Sequence, residues 1–247
     1  MLKENLTSQK INVMKTNVMR NAALILSALF LSVPLVAQKK NQMPQYPFKS
    51  AVIEYAYSGN TTGTAKHYID DHGRKTAQYN EFKTKSFGST TETNQLVIFK
   101  DNITYTIDLI KKEGYKTQII NLDEKELKEW AEQADSLWES MGFKKTGKGE
   151  VLGKTCDIWE GMSTKVWVWQ NIAMKTETNI FGKMVMEVTK LDLNASISAD
   201  KFRIPDGIKM ADETTVVDAQ DPAMDTLRNE LKKGLEDFKS LFETKKK

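Results

Sequence analysis

The chain has 247 residues, 40% of them hydrophobic, and carries 36 Lys and Arg against 33 Asp and Glu. Its length suits one large domain or one domain with an appendage, and its near-neutral balance excludes the strongly basic character expected of a nucleic-acid-binding protein. Cys156 is the single cysteine, which excludes an intramolecular disulfide.

The N-terminal segment has the order of features that marks a secretory leader. Lys15 and Arg20 precede an uncharged apolar run over 22–37, and Ala37 ends it as a small residue suited to cleavage. We therefore expect 1–37 to be a signal peptide. The alternative is a membrane anchor, for which sixteen residues are short, since a spanning helix needs ~20.

Cleavage would leave 38–247, in which 32 basic residues balance 32 acidic ones. No Cys lies at the cleavage region, so a lipid-anchored lipoprotein is not expected. No transmembrane segment is expected after cleavage. The expected location is the periplasm, with secretion from the cell left open.

The first half of the mature chain has the two-residue period of β-strands. Residues 38–47 form a polar lead-in, and apolar side chains then alternate from Phe48 to Ser58. Short turns separate the strands that follow, which favours antiparallel pairing because parallel strands need long crossovers. The further strands predicted here are 64–69, 76–82, 95–99, 103–109 and 115–120.

The period then changes to that of an amphipathic helix over 127–141. Its apolar stripe includes Trp130 and Trp138, and Gly142 suits a helix stop. Two tryptophans on one stripe need a large apolar partner, and we expect the sheet to provide it.

Strand patterns resume after Gly142, and the domain is expected to close near residue 210. An acidic, polar stretch at 211–221 is typical of a linker, and 222–247 has the stripe of a second amphipathic helix. The strands predicted in this half are 156–159, 165–169, 172–180 and 184–191. We therefore expect a single domain over 48–210.

Three stretches give the chain a resemblance to the LolA/LolB-like envelope proteins: Val151–Trp159, Lys165–Thr178 and Leu191–Pro205. This resemblance implies an α+β fold, in which a curved antiparallel sheet of about nine or more strands forms an incomplete barrel around the long helix. The C-terminal helix would be added to that fold.

The resemblance also implies an apolar cavity that holds a lipid or acyl chain, for carriage or sensing. Flexible methionines suit adaptable apolar pockets, and tyrosines can place hydroxyls at a cavity mouth. Ordinary core packing is the alternative for each of these side chains. The cavity candidates are Ile53, Tyr55, Tyr57, Tyr105, Trp130, Trp138, Met174, Met184 and Met186.

No catalytic or metal-binding pattern stands out in the sequence. Only His67 and His72 could serve as imidazole bases, and neither lies in a nucleophile-elbow, zinc-protease or phosphate-loop motif. Asp70-Asp71-His72 fits a hairpin turn better than a metal site, and Cys156 fits a buried strand position. We expect a binding protein without cofactor or metal. The alternative is an interaction module that binds a partner, or itself, through 222–245.

Overall fold

The computed structural model describes residues 45–86, 88–120, 135, 138–139, 142–179 and 182–218, all within the compact unit Val36–Lys247. These residues form twelve strands in one sheet. The strands are β1 (Ala51–Gly59), β2 (Thr61–Asp70), β3 (Lys75–Ser86), β4 (Ser89–Lys100), β5 (Ile103–Asp108), β6 (Glu113–Ile120), β7 (Lys144–Val151), β8 (Lys154–Gly161), β9 (Thr164–Trp169), β10 (Ile172–Thr178), β11 (Met184–Leu193) and β12 (Lys209–Asp218).

The strand order is β12-β6-β5-β4-β3-β2-β1-β11-β10-β9-β8-β7. Two antiparallel meanders, β2–β6 and β7–β11, therefore lie on either side of β1. The first strand pairs with β2 and also with β11, so it joins the two halves of the sheet.

The expectation of an α+β fold is wrong. The described part of the chain is nearly all β, with short 3₁₀ turns at Asp71–Gly73 and Ala199–Phe202 and no α-helical element. The purely antiparallel pairing is also wrong, because β12 runs parallel to β6. The chain forms all of β7–β11 before it returns to β6, and that long connection permits a parallel neighbour.

Both predicted helices fall almost entirely outside the described residues. Of 127–141, the structure describes Asp135, Trp138 and Glu139, which have helical backbone; 222–247 lies wholly outside. The stretch expected to be a linker, 211–221, continues β12 as far as Asp218. No helix in the described ranges is long and apolar enough to cross a membrane.

Alternation along β1 defines the two faces of the sheet. Ala51, Ile53, Tyr55 and Tyr57 are buried, and the residues between them are more exposed. Residues directly opposite each other on paired strands share a face. We call the face of Ile53, Tyr55 and Tyr57 face A. Face B is the opposite one, which carries Glu54.

Face B has its own hydrophobic core towards the β3–β6 end of the sheet. Ala77, Leu96, Ile98 and Ile107 are buried there against Phe202. The segment that carries Phe202 is attached to the strands by polar contacts. Tyr79 Oη donates to the Lys201 carbonyl at 3.2 Å, and Lys100 Nζ donates to the Phe202 carbonyl at 3.0 Å. The two faces are thus buried at different positions along the sheet.

One glycine lets two aromatic side chains meet on face A. Gly63 lies between Tyr57 and Phe82 in the register of β1, β2 and β3. The two rings approach across it to a centroid separation of 5.3 Å. Gly63 has φ +143°, and a Cβ there would overlap the Glu81 carbonyl oxygen and lie 2.6 Å from Phe82 Cα.

Gly63→Ala should therefore lower the free energy of unfolding by about 2–4 kcal/mol, because backbone atoms would have to move. Urea unfolding measures the change. Gly147→Ala is the matched control, since a Cβ at Gly147 on β7 would have nothing within 4 Å of it, and its effect should stay within about 0.5 kcal/mol. Equal effects of the two substitutions would contradict the packing argument.

Candidate ligand-binding face

Three of the predicted cavity residues lie together on face A of β1. Ile53, Tyr55 and Tyr57 are each at most 5% exposed. Tyr55 lies opposite Val188 of β11, and Tyr57 lies opposite Met186. The structure thus brings the first strand and the methionine-bearing strand into one apolar surface.

The other predicted methionines extend this surface. Met186 and Met174 are buried, and Met184 is half-buried opposite Gly59. Met174 precedes Thr176 by two residues on β10, and Thr176 lies opposite Met186. The two-residue period therefore places Met174 on face A as well.

Trp138 reaches the same side of the sheet. Its ring stacks on Trp159 at a centroid separation of 6.1 Å, and Trp159 lies opposite Val166, which in turn lies opposite Thr176. Tyr105 is different: it lies opposite Ile98 and belongs to face B. Trp130 lies outside the described residues.

Face A is uncharged over its central part. Its described positions on β1–β3 and β9–β11 carry apolar, hydroxyl, amide and imidazole side chains only. Charged side chains on these strands lie on face B, where Glu54 pairs with Lys66 at 2.7 Å and Lys175 pairs with Glu177 at 3.0 Å. On these six strands the charged side chains therefore lie on face B, whereas on β7 and β8 the pair Lys145 and Asp157, at 2.9 Å, lies on face A beside Trp159.

Four buried polar atoms on face A have no hydrogen-bond partner within the structure that is described. They are Tyr57 Oη, Gln78 Nε2, Asn80 Oδ1 and Thr176 Oγ1. Gln78 lies opposite His67, which lies opposite Ile53. We call Tyr57, His67, Gln78, Asn80 and Thr176 the polar belt.

The polar belt is neutral near pH 7. Burial lowers the pKa of His67 from 6.5 to about 4, so the imidazole is uncharged. Burial also raises the pKa of the Tyr57 phenol above its ordinary value of 10.0. The belt therefore offers hydrogen bonds without a formal charge.

A separate cleft of about 540 Å³ lies at the ends of β8, β9 and β10. None of the predicted cavity residues lines it. Its walls carry several charged and polar side chains, so it does not provide the apolar cavity that the sequence predicted. It is lined by Glu160, Gly161, Met162, Ser163, Thr164, Lys165, Glu177, Thr178, Asn179 and Lys183.

His72 and Cys156, which were considered for catalysis or metal binding, make polar contacts with backbone carbonyl groups of the fold. His72 lies in the turn Asp71–Gly73, with Nδ1 at 3.2 Å from the Tyr46 carbonyl oxygen. Cys156 is buried, its Sγ donates to the Lys154 carbonyl, and burial raises the pKa of its thiol. Within the described ranges, no group of three or more His, Cys, Asp or Glu could hold a metal ion.

Comparison with known proteins gives distant structural likenesses. The chain matches no family model and no curated protein. An uncharacterized conserved protein from Thermus thermophilus is similar at TM-score 0.42 and 9% identity, over 67% of this chain and 91% of that one. MucB of Pseudomonas aeruginosa, in complex with MucA, is similar at TM-score 0.35 and 13% identity, over 63% of this chain and 56% of that one.

LprF from Mycobacterium bovis is similar at TM-score 0.30 and 8% identity, over 62% of this chain and 89% of that one. These likenesses to solved structures are distant, and no sequence family accompanies them.

Sequence reasoning did not single out three members of the polar belt, Gln78, Asn80 and Thr176, and the first two carry a signal that could have been used. A signal for them exists in the hairpin between β2 and β3, whose turn fixes His67 opposite Gln78. Gln78 and Asn80 alternate along β3, so they lie on the same face as His67 once that register is known. This arrangement predicts a shared polar patch.

The neutral state of His67 makes stability depend on pH. The unfolded chain binds a proton near pH 6.5 and the folded chain only near pH 4, so acidification favours unfolding in this window. We expect His67 to remove about 3 kcal/mol of stability as the pH falls from 7 to 4. Urea unfolding at several pH values should show this loss in the wild type and lack it in His67→Gln.

The difference between the two proteins should be constant between pH 7 and 8.5. A His67→Gln protein with the acid sensitivity of the wild type would show that another group is responsible.

Proposed function

We propose that this protein is exported and binds an acyl chain or lipid on face A, as a carrier or sensor in the cell envelope. The leader over 1–37 supports export. The observation that carries the binding proposal is the set of four unpartnered polar atoms on a face whose central strands, β1–β3 and β9–β11, carry no charged side chain.

An unpartnered buried polar group costs about 1–3 kcal/mol, and native proteins leave few of them. Tyr57, Gln78, Asn80 and Thr176 all lie on one face, beside Tyr55 and Met186, rather than scattered through the fold. A ligand whose polar group lies at Gln78 and Asn80, two residues apart on β3, would supply partners for both. Its acyl chain adds about 0.8 kcal/mol for each CH₂ that leaves water.

The surroundings of His67 favour binding over catalysis. Its direct neighbours across the strands are Ile53 and Gln78, and neither is a nucleophile. A general base acts on a group within hydrogen-bond reach, which an isoleucine side chain cannot supply. The cross-strand neighbours of His67 therefore form no nucleophile–base pair with it, which supports a role of the imidazole as a polar contact.

Tryptophan quenching by a brominated chain tests where the ligand lies. Trp159 is buried on face A, whereas Trp167 lies on face B between Lys165 and Lys175, whose Nζ atoms are 5.2 and 5.1 Å from its ring centroid. A dibromostearoyl glycerol bound on face A should quench Trp159. Trp159→Phe should therefore lose part of the quenching, and Trp167→Phe should keep it.

Unbrominated stearoyl glycerol is the control for effects other than contact quenching. Native mass spectrometry of detergent-free 38–247 should also show a bound lipid of defined mass. Quenching that disappears with Trp167→Phe, or no binding by either method, would overturn the proposal.

A further inference from the structure

We infer that the polar belt recognises an uncharged, hydroxylated acyl ester, such as a monoacylglycerol, in preference to a free fatty acid. This inference rests on the proposed function, because it names the ligand class of the same face. It follows from the hydrogen-bonding atoms that are left unpartnered on face A.

Those atoms call for a ligand that both accepts and donates. Gln78 Nε2 is a donor, Asn80 Oδ1 is an acceptor, and the hydroxyls of Tyr57 and Thr176 can act as either. An ester carbonyl accepts from the Gln78 amide, and a neighbouring free hydroxyl donates to Asn80. An ionised carboxylate only accepts, so it would leave Asn80 Oδ1 unsatisfied.

The charge distribution points in the same direction. A buried carboxylate requires a cation or several donors, since removing its charge from water is unfavourable. The lysines of the neighbouring strands, such as Lys66 and Lys175, are engaged with carboxylates on face B. The described positions of face A on β1–β3 and β9–β11 supply no cation.

The spacing of Gln78 and Asn80 within the belt suits a small polar head rather than a single atom. Gln78 and Asn80 are two residues apart on β3, which places them about 7 Å apart on one face. Tyr57 lies on β1, two strands away, and Thr176 lies two strands from Tyr57 on the other side. The apolar chain would then lie against Tyr55, Met186 and Val188, which are on the strands between Gln78 and Thr176.

Titration calorimetry with oleoyl glycerol and with oleate, both below their aggregation concentrations at pH 7.5, tests the inference. The wild type should bind the ester at least about tenfold more tightly than the carboxylate. The double variant Gln78→Leu, Asn80→Leu should lose most of this preference while still binding an oleoyl chain. Its melting temperature without ligand should be unchanged or raised, since two unpartnered amides have been removed.

Gln118→Leu is the matched control, because Gln118 lies opposite Ile103 on the β5–β6 pair, away from the belt, and its substitution should leave the preference intact. Asn80→Leu alone, which removes the acceptor that a carboxylate cannot satisfy, should weaken the preference even if the double variant fails to fold.

The outcomes separate the two proposals. Binding of neither lipid by the wild type would overturn the proposed function. Equal binding of ester and carboxylate, or a preference that the belt variants leave unchanged, would overturn the inference and leave the proposed function standing. A double variant that is less stable than the wild type and keeps the preference would also overturn the inference. That result would indicate that ordered water, rather than a ligand, satisfies the belt amides.

Discussion

The pairing of β1 with β11 is the constraint on which the rest of the structure depends. It joins residues more than 120 positions apart, and it connects two meanders whose other pairs form between near neighbours in sequence. Its register decides which side chains reach face A, because a slip of one residue would turn every side chain to the other face. A bulge after Glu54 is accommodated locally, where Thr189 Oγ1 donates to the Glu54 carbonyl at 3.2 Å. Tyr55 and Tyr57 meet Val188 and Met186 only in this register.

The sheet has a second buried region on face B, and this explains the position of Tyr105. Around β1 and β11, face A is buried and face B carries ion pairs. Towards β4 and β5, face B gains an apolar core of its own, where Ile98 and Ile107 pack near Phe202. Face A still carries the buried Phe99 on β4. Tyr105 on β5 therefore packs against the face B core, whereas Tyr55 on β1 is buried on face A. Alternation within a single strand cannot reveal which of the two cores its apolar side faces.

Strands with one buried face were predictable, and edge strands were not. The alternation of Ile53, Tyr55 and Tyr57 is visible in the sequence because one side is apolar and buried. The edge strand β7 has no such alternation: seven of its eight residues are exposed or half-exposed, and it includes Gly149. Gly149 is needed there because a Cβ would lie 2.8 Å from Trp167 Nε1, a contact that no local pattern predicts. The sequence of the parallel edge strand β12 predicts a linker. Its strand conformation depends on pairing with β6, about a hundred residues earlier, which no local pattern reveals.

The polar belt lies where the sheet can best tolerate it. Strands β2 and β3 pair without interruption from Thr61 opposite Thr84 to Asp70 opposite Lys75, so their backbone is fixed independently of the belt side chains. Leu or Val at positions 78 and 80 would suit such a buried strand better on packing grounds alone. Buried amides without partners, held on a continuous ladder, are a local conflict of the kind that folded proteins retain at functional sites. Because that ladder fixes the backbone of Gln78 and Asn80, binding as proposed would order only their side chains and would lose little backbone conformational entropy.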